Sequence, residues 1–245
     1  MGDLGIPGFR YETVEAGPTA YRPGVAGSGP AVLLLHGFPQ THYCWHEVGP
    51  ALADRNTDVV CDLKGYGESR SAPGGLLGEG YDKRTMAAEL REVMARLGHE
   101  RFSVVGHDRG GRVAYRMALD HPDAVERLAV LNIVPTVDQF ERMAAEAALD
   151  YFPWYLLAQP APFAERVVSA SAEYVVRHLL ASWVATPGAI APEARPVRAR
   201  VHRGGDLGHL RRVPRGVPSR PSDGRRGSRG GGADRLPGAR ALGRR

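Results

Sequence analysis

Cysteine is scarce in this chain: Cys44 and Cys61 are the two in 245 residues. Two thiols cannot build a disulfide framework, so a stapled secreted scaffold is excluded, and the pair reads as free thiols of a reducing cytoplasm. Long apolar runs are missing as well. The longest, Ala31 to Leu35, falls far short of the roughly 20 residues that cross a bilayer, which excludes a membrane helix. The start, MGDLGIPGFR, has no basic n-region and no apolar h-region, so no signal peptide is expected. Ile6 stands where a myristoylation signal needs Ser or Thr. A further absence is local: from Arg195 to Arg245 there is no Phe, Trp, Tyr or Lys, while the segment holds 15 Arg, 11 Gly and 3 Asp. Its net charge of +12 leaves residues 1–194 at −7, so the overall +5 conceals two parts of opposite sign.

Residues 1–194 alternate strand-like and helix-like signals. Ala31-Val-Leu-Leu-Leu35 is a continuous apolar run, as buried parallel strands are. His36-Gly-Phe-Pro39 breaks it, and a helical pattern runs from about Trp45 to Ala53. Asp58-Val-Val-Cys61 predicts a second strand, ended by Lys64-Gly-Tyr-Gly67. A helix is expected from Arg84 to Leu97 with Gly98 as its stop, a strand over Phe102 to Val105, a helix over Gly111 to Leu119 and a strand over Leu128 to Ile133. This order argues a mostly parallel, doubly wound sheet. After Pro135 the texture changes. Thr136-x-x-Gln139 signals a capped helix running to about Leu149, the aromatic Tyr151-Phe-Pro-Trp-Tyr155 follows, and Glu173 to Val184 is helical again. The expected organisation is a core over 1–135, a helical cap over 136–194 and an Arg/Gly-rich tail over 195–245.

One junction carries chemistry. In FSVVGHDRGGRVAYRMALDHP, the predicted strand at Phe102 stops at Gly106, Asp108 follows, and two glycines open the next helix. Gly106-His-Asp-Arg-Gly110 fits the G-x-nucleophile-x-G elbow of α/β hydrolases, in which glycines let strand and helix approach closely and the turn lifts its central side chain into a pocket. A serine at that point needs a base to remove its proton. An aspartate is anionic at neutral pH without one, and a carboxylate can displace a leaving group from an sp3 carbon to form an ester. An acid at the elbow therefore points to C–halogen or epoxide C–O cleavage rather than to esterase chemistry. The plainer reading is a capping Asp at a helix start. His36-Gly-Phe-Pro39 counts against it, since it adds a second turn facing the same pocket. The backbone N–H groups of Phe38 and Arg109 are the candidate oxyanion hole. His36 and His107 read as structural parts of their turns.

HGFPQTHYCWHEVGPALA, DLKGYGES, GHDRGGRVAYRMALDHP and FPWYLLAQPAP together resemble the haloacetate (fluoroacetate) dehalogenases of the α/β-hydrolase superfamily, over about residues 9–194. The resemblance implies an α/β-hydrolase fold with a helical cap, no metal and no cofactor. It implies a small halo-carboxylate and water as the molecules met, with room for a homodimer. Asp108 would be the nucleophile. Arg109 and Arg112, three apart and so on one helix face, would bind the substrate carboxylate, and Trp154 would donate its indole N–H to the leaving halide. The plain alternatives are a solvent-facing Arg112 and a Trp154 that only packs the cap on the core. Two positions depart from the family. Pro153 replaces a His that serves as second halide donor, and Asn132 replaces the Asp that orients the catalytic His. An Asn accepts an N–H bond but cannot stabilise an imidazolium, a change that costs about 10⁴ in rate in a serine-protease triad, although other α/β hydrolases place the acid after a later strand, so Asn132 alone does not mean inactivity.

The family continues past residue 195 with two strands and the catalytic His, and this chain does not follow. Its C-terminal strands are expected to be missing, leaving an apolar sheet edge open. His202 and His209 are poor candidates for the base. The tail reads either as a basic arm holding nucleic acid nonspecifically through phosphates or as the product of a shifted reading frame. With codons chosen for the purpose and moved by one base, PVRARVHR becomes PYVRAFT and DRLPGARALG becomes TACPVLVLWG, an apolar strand-like run. The frameshift is the favoured reading. Two other functions stay open. An epoxide hydrolase would use the same Asp108, with Tyr151 or Tyr155 polarising the epoxide oxygen, and a non-catalytic product would act only through its basic tail.

Overall fold

Strand β5 (Ala31–Leu35) is the centre of a six-stranded sheet in the order β1-β4-β6-β5-β8-β9. Its members are β1 (Arg10–Tyr11), β4 (Gly24–Gly27), β6 (Thr57–Cys61), β8 (Phe102–His107) and β9 (Val125–Leu131). The last four strands in that order run parallel, while β1 and β4 join antiparallel at the other edge. The structure is a computed structural model that describes residues 5–72, 79–141, 149, 151–159 and 162–184, all within one compact unit spanning 1–213. In register across the sheet, Leu33 lies beside Val59 on one side and Val104 on the other. Successive side chains leave opposite faces. Leu33, Leu35, Val59 and Val104 therefore join one core, and Leu34 and Val60 join a second with Ile6, Phe9 and Trp45. Both faces of β5 are covered, which is why Ala31–Leu35 has no polar alternation.

Helices α2 (Lys83–Arg96) and α3 (Arg109–Asp120) cover the first face through Met86, Leu90, Met94, Val113 and Met117. The short α1 (Val48–Ala53) and a 3-10 turn over His42–Trp45 lie against the second. Asp82 starts α2 by accepting the Thr85 N–H at 3.0 Å, and Gly98, at φ 88°, follows its C-cap. A second sheet orders β2 (Val14–Ala16), β3 (Thr19–Tyr21) and β7 (Arg70–Ser71). Thr19 and Tyr21 tie it to α2 by donating to Glu89 at 2.9 and 2.8 Å, and Glu89 also pairs with buried Lys64 at 2.8 Å. After β9 come α4 (Thr136–Glu141), α5 (Phe152–Leu157), α6 (Phe163–Ala170) and α7 (Ala172–Trp183). No described helix is long and apolar enough to cross a membrane.

The mostly parallel sheet is as expected, with β1 and β4 antiparallel at one edge. The first strands, two to four residues each, gave no strand signal in the sequence. The strand expected over Leu128 to Ile133 runs Val125–Leu131, because parallel pairing with β8 begins at Val125. Only 136–141 and Leu149 of the helix expected from Thr136 to Leu149, and none of the tail, lie within the described residues.

The open edge of the described sheet is β9. Leu128, Val130 and Leu131 are 42%, 44% and 44% exposed, although Leu33 and Leu35 two strands inward are fully buried. An apolar strand with an unpaired ladder on one side is a template for association. Replacing Leu128 and Val130 by Lys is expected to lower association without loss of fold, seen as a shift towards monomer in sedimentation velocity. A second liability is Asp58, fully buried in β6 between Ala26 and Val32, whose two oxygens have no hydrogen-bond partner among the described residues. Burial pushes its carboxyl up to about 6. A carboxyl raised in the folded state costs stability above its unfolded value, in full once the pH exceeds the folded one. Asp58→Asn should therefore raise the melting temperature more at pH 8 than at pH 4.

Candidate active site

The site is built where the ends of β5 and β8 meet. Asp108 occupies the link between β8 and α3 with φ 46° and ψ −108°, a conformation that is rare and strained for a residue with a Cβ. Two backbone bonds pin it from both sides. Asp108 N–H donates to Leu131 O at 3.1 Å, and Gly110 N–H donates to His36 O at 2.9 Å. The second bond needs the helix start to lie directly on the β5 turn, and glycine permits it. A methyl at Gly110 would enter the carbonyls of Leu35 and His36, and one at Gly106 would strike the Gly110 backbone. The strained backbone of Asp108 is thus held by close packing around it. Gly110→Ala is expected to cost about 3 kcal/mol or more, since the obstacles are backbone atoms that cannot turn aside, and a urea titration measures it.

The turn after β5 faces the carboxylate. Phe38 N–H donates to Asp108 Oδ2 at 2.9 Å. Gly37 lies so close that a Cβ there would be 2.7 Å from the Asp108 Cβ. Beneath the turn is a buried brace. Asp62, at the end of β6, accepts His42 N–H at 2.6 Å and Glu68 N–H at 2.9 Å, and lies 3.0 Å from His42 Nδ1 and 3.6 Å from His36 Nε2. Burial alone would raise the Asp62 carboxyl, but the His42 ring and the Glu68 N–H outweigh it and hold it well below the usual carboxylate range. His36 donates Nδ1–H to Gly37 O at 2.8 Å and accepts Leu63 N–H at 3.0 Å, and its burial lowers its pKa. It is a fixed neutral strut, in line with the structural role expected for it.

Two guanidiniums surround the elbow on α3. Arg109 is buried, with its guanidinium carbon 5.8 Å from the Phe38 ring centre. Arg112 is buried and lies 4.5 Å from the ring centre of Trp154 on α5. One of its nitrogens donates to Thr136 Oγ1 at 3.2 Å, and its Nε has no hydrogen-bond partner among the described residues. Burial depresses the Arg112 pKa, the Asp108 carboxylate opposes this, and Arg109 adds to the depression. Trp154 is wedged between Phe140 and Tyr151, with centroids at 5.4 and 5.2 Å. Asp108, Phe38, Arg109, Arg112 and Trp154 are thus gathered at one place. Asn132 follows β9 at φ 52°, exposed, next to Leu131, whose carbonyl accepts the Asp108 N–H. Three neighbours escaped sequence reasoning. Thr136 holds Arg112, Gln40 holds His107 Nδ1 at 3.0 Å, and Lys83 lies in the field of Arg109 and Arg112. Burial and those two charges push the Lys83 ammonium down to about 7. The one signal for Lys83 was its place just after the Asp82 cap. Among the described residues no His/Cys/Asp/Glu group could hold a metal.

A carboxylate held on a strand–helix elbow and touched by a backbone N–H from a neighbouring turn has the geometry of the α/β-hydrolase elbow. The chain belongs to the α/β hydrolase fold family, whose model matches residues 30–186. It is 48% identical over 179 residues to a fluoroacetate dehalogenase of Burkholderia sp, covering 73% of this chain and 59% of that protein. It is 46% identical over 110 residues to a soluble epoxide hydrolase of Corynebacterium sp. (strain C12), covering 45% and 37%. Among solved structures, an α/β hydrolase of Nostoc sp PCC 7120 superposes with a TM-score of 0.77 at 39% identity, over 83% of this chain and 72% of that one. The chain spans less than two thirds of the length of these two curated relatives.

Proposed function

We propose that this site cleaves the carbon–halogen bond of small 2-halo carboxylates. The observation that carries the reading is a carboxylate on the elbow flanked by two buried arginines, one with an unpartnered Nε. Asp108 is the nucleophile. Its Oδ attacks the carbon bearing the halogen, the halide leaves with the bonding electrons, and an ester remains. Arg109 and Arg112 hold the substrate carboxylate in a buried place where its charge is otherwise costly. The Phe38 N–H that bonds Oδ2, with the Arg109 N–H, then faces the oxyanion that forms if water attacks the ester. Trp154 donates to the departing halide. On this reading the molecules met are a small halo-carboxylate and water, without a cofactor, in the cytoplasm.

A second reading has support from the epoxide hydrolase relative: the same nucleophile opening an epoxide polarised by Tyr151 or Tyr155. Tyr151 packs edge-on to Trp154, whereas Tyr155 is 44% exposed. Diol formation from styrene oxide without halide release from bromoacetate would select this reading. For the dehalogenase, Pro153 sets the leaving-group order. It has no N–H or side-chain donor to add to the Trp154 indole, and fluoride depends most on such donors. Halide release is expected to be faster from bromo- and chloroacetate than from fluoroacetate by about tenfold or more, and to vanish in Asp108→Asn. Ion chromatography of the first turnover measures both.

A further inference from the structure

The turn after β5 and the elbow after β8 lie at the ends of two adjacent parallel strands, with Leu35 in register beside Gly106. Three hydrogen bonds cross between them in the described structure. Gly110 N–H donates to His36 O at 2.9 Å, Phe38 N–H donates to Asp108 Oδ2 at 2.9 Å, and Gln40 Oε1 lies 3.0 Å from His107 Nδ1. His36, Phe38 and Gln40 thus meet Gly110, Asp108 and His107 in reverse chain order. The bond to the carboxylate is the middle rung, with a clamp on either side. One clamp joins main chain to main chain and depends on glycine alone. The other is made by two side chains, and no step of the reaction proposed above uses either.

Half-buried Gln40 ties its own turn as well. Its N–H donates to Gly37 O at 3.0 Å, and its Oε1 accepts Gly37 N–H at 3.4 Å. A backbone N–H can only donate, so the carboxamide presents its oxygen at this point. The same oxygen obliges His107 to carry its proton on Nδ1. Position 37 cannot supply the acceptor itself, because a Cβ there would be 2.9 Å from His107 Nδ1 and 2.7 Å from Asp108 Cβ. The acceptor reaches in from three residues further on. One oxygen therefore holds the residue before the N–H donor and the residue before the carboxylate. We propose that Gln40 is a positioning residue, which acts through Gly37 and His107 to hold the Phe38 N–H on Asp108 Oδ2 and so aims the carboxylate. The inference rests on the reading of Asp108 as the nucleophile. Without the Gln40 acceptor the turn stays hinged at the His36–Gly110 bond and is free to swing about it. A displacement of about 1 Å at a reacting group is enough to cost roughly 100-fold in rate.

The test compares the full chain with Gln40→Leu, which fills the space without an acceptor, and Gln40→Glu, which keeps one. Two readouts are taken at pH 8: first-turnover bromide release over a range of bromoacetate concentrations, and the amide resonances of Phe38 and Gly110 in isotope-labelled protein. In Gln40→Leu the maximal first-turnover rate is expected to fall about tenfold or more. The half-saturating concentration should stay put, since Arg109 and Arg112 hold the substrate carboxylate. The Phe38 amide should move upfield while the Gly110 amide, bonded to His36, keeps its place. Gln40→Glu should restore both the rate and the Phe38 resonance. An unmoved Phe38 amide in Gln40→Leu with an undiminished rate would overturn the proposal. A Glu variant that fails as the Leu variant does would overturn it too, as would displacement of the Gly110 amide, which marks a merely structural role. If the native chain releases no bromide while the Phe38 amide responds as expected, the dehalogenase reading falls and the positioning role stands.

Discussion

The contact between the start of α3 and the turn after β5 is the constraint on which this molecule depends. A single backbone bond, Gly110 N–H to His36 O at 2.9 Å, requires two main chains to touch with no side chain between them. That touch fixes Asp108 at positive φ, sets its carboxylate against the Phe38 N–H and aims Arg109 and Arg112 along the same side of α3. The buried brace of Asp62, His36 and His42 holds the turn from below. The sheet, in this view, is a device for bringing two loops within one hydrogen bond of each other.

Charge is the second theme of the site. One carboxylate meets two buried guanidiniums, so the described cluster is net cationic. Buried cations in excess are costly unless an anion joins them. The aromatic surfaces of Phe38 and Trp154 lessen that cost by facing the guanidiniums, as ring quadrupoles do. An anion entering the site would complete a neutralisation that the described residues leave unfinished.

Where the sequence was legible, the reason was burial on both faces or a turn with special backbone needs. Ala31–Leu35 declared itself because no side chain in it meets water, and Gly106 to Gly110 because glycine and acid are spaced as an elbow requires. The grouping of Phe38, Arg109, Arg112 and Trp154 followed from helix spacing and from resemblance. What stayed hidden lacked a local pattern. Strands of two to four residues cannot show alternation. The beginning of β9, Val125-Glu126-Arg127, is masked by charges that its outer position tolerates. Gln40, Thr136 and Lys83 come to the site from separate elements, and only tertiary packing makes neighbours of them.

The exposed β9 edge sets how this chain behaves as a population. Folding is a first-order process and proceeds equally well in dilute or crowded solution, whereas pairing two open edges is second-order and accelerates with the square of concentration. With Leu128, Val130 and Leu131 facing solvent on that edge, any such pairing would weigh more as the chain becomes more abundant.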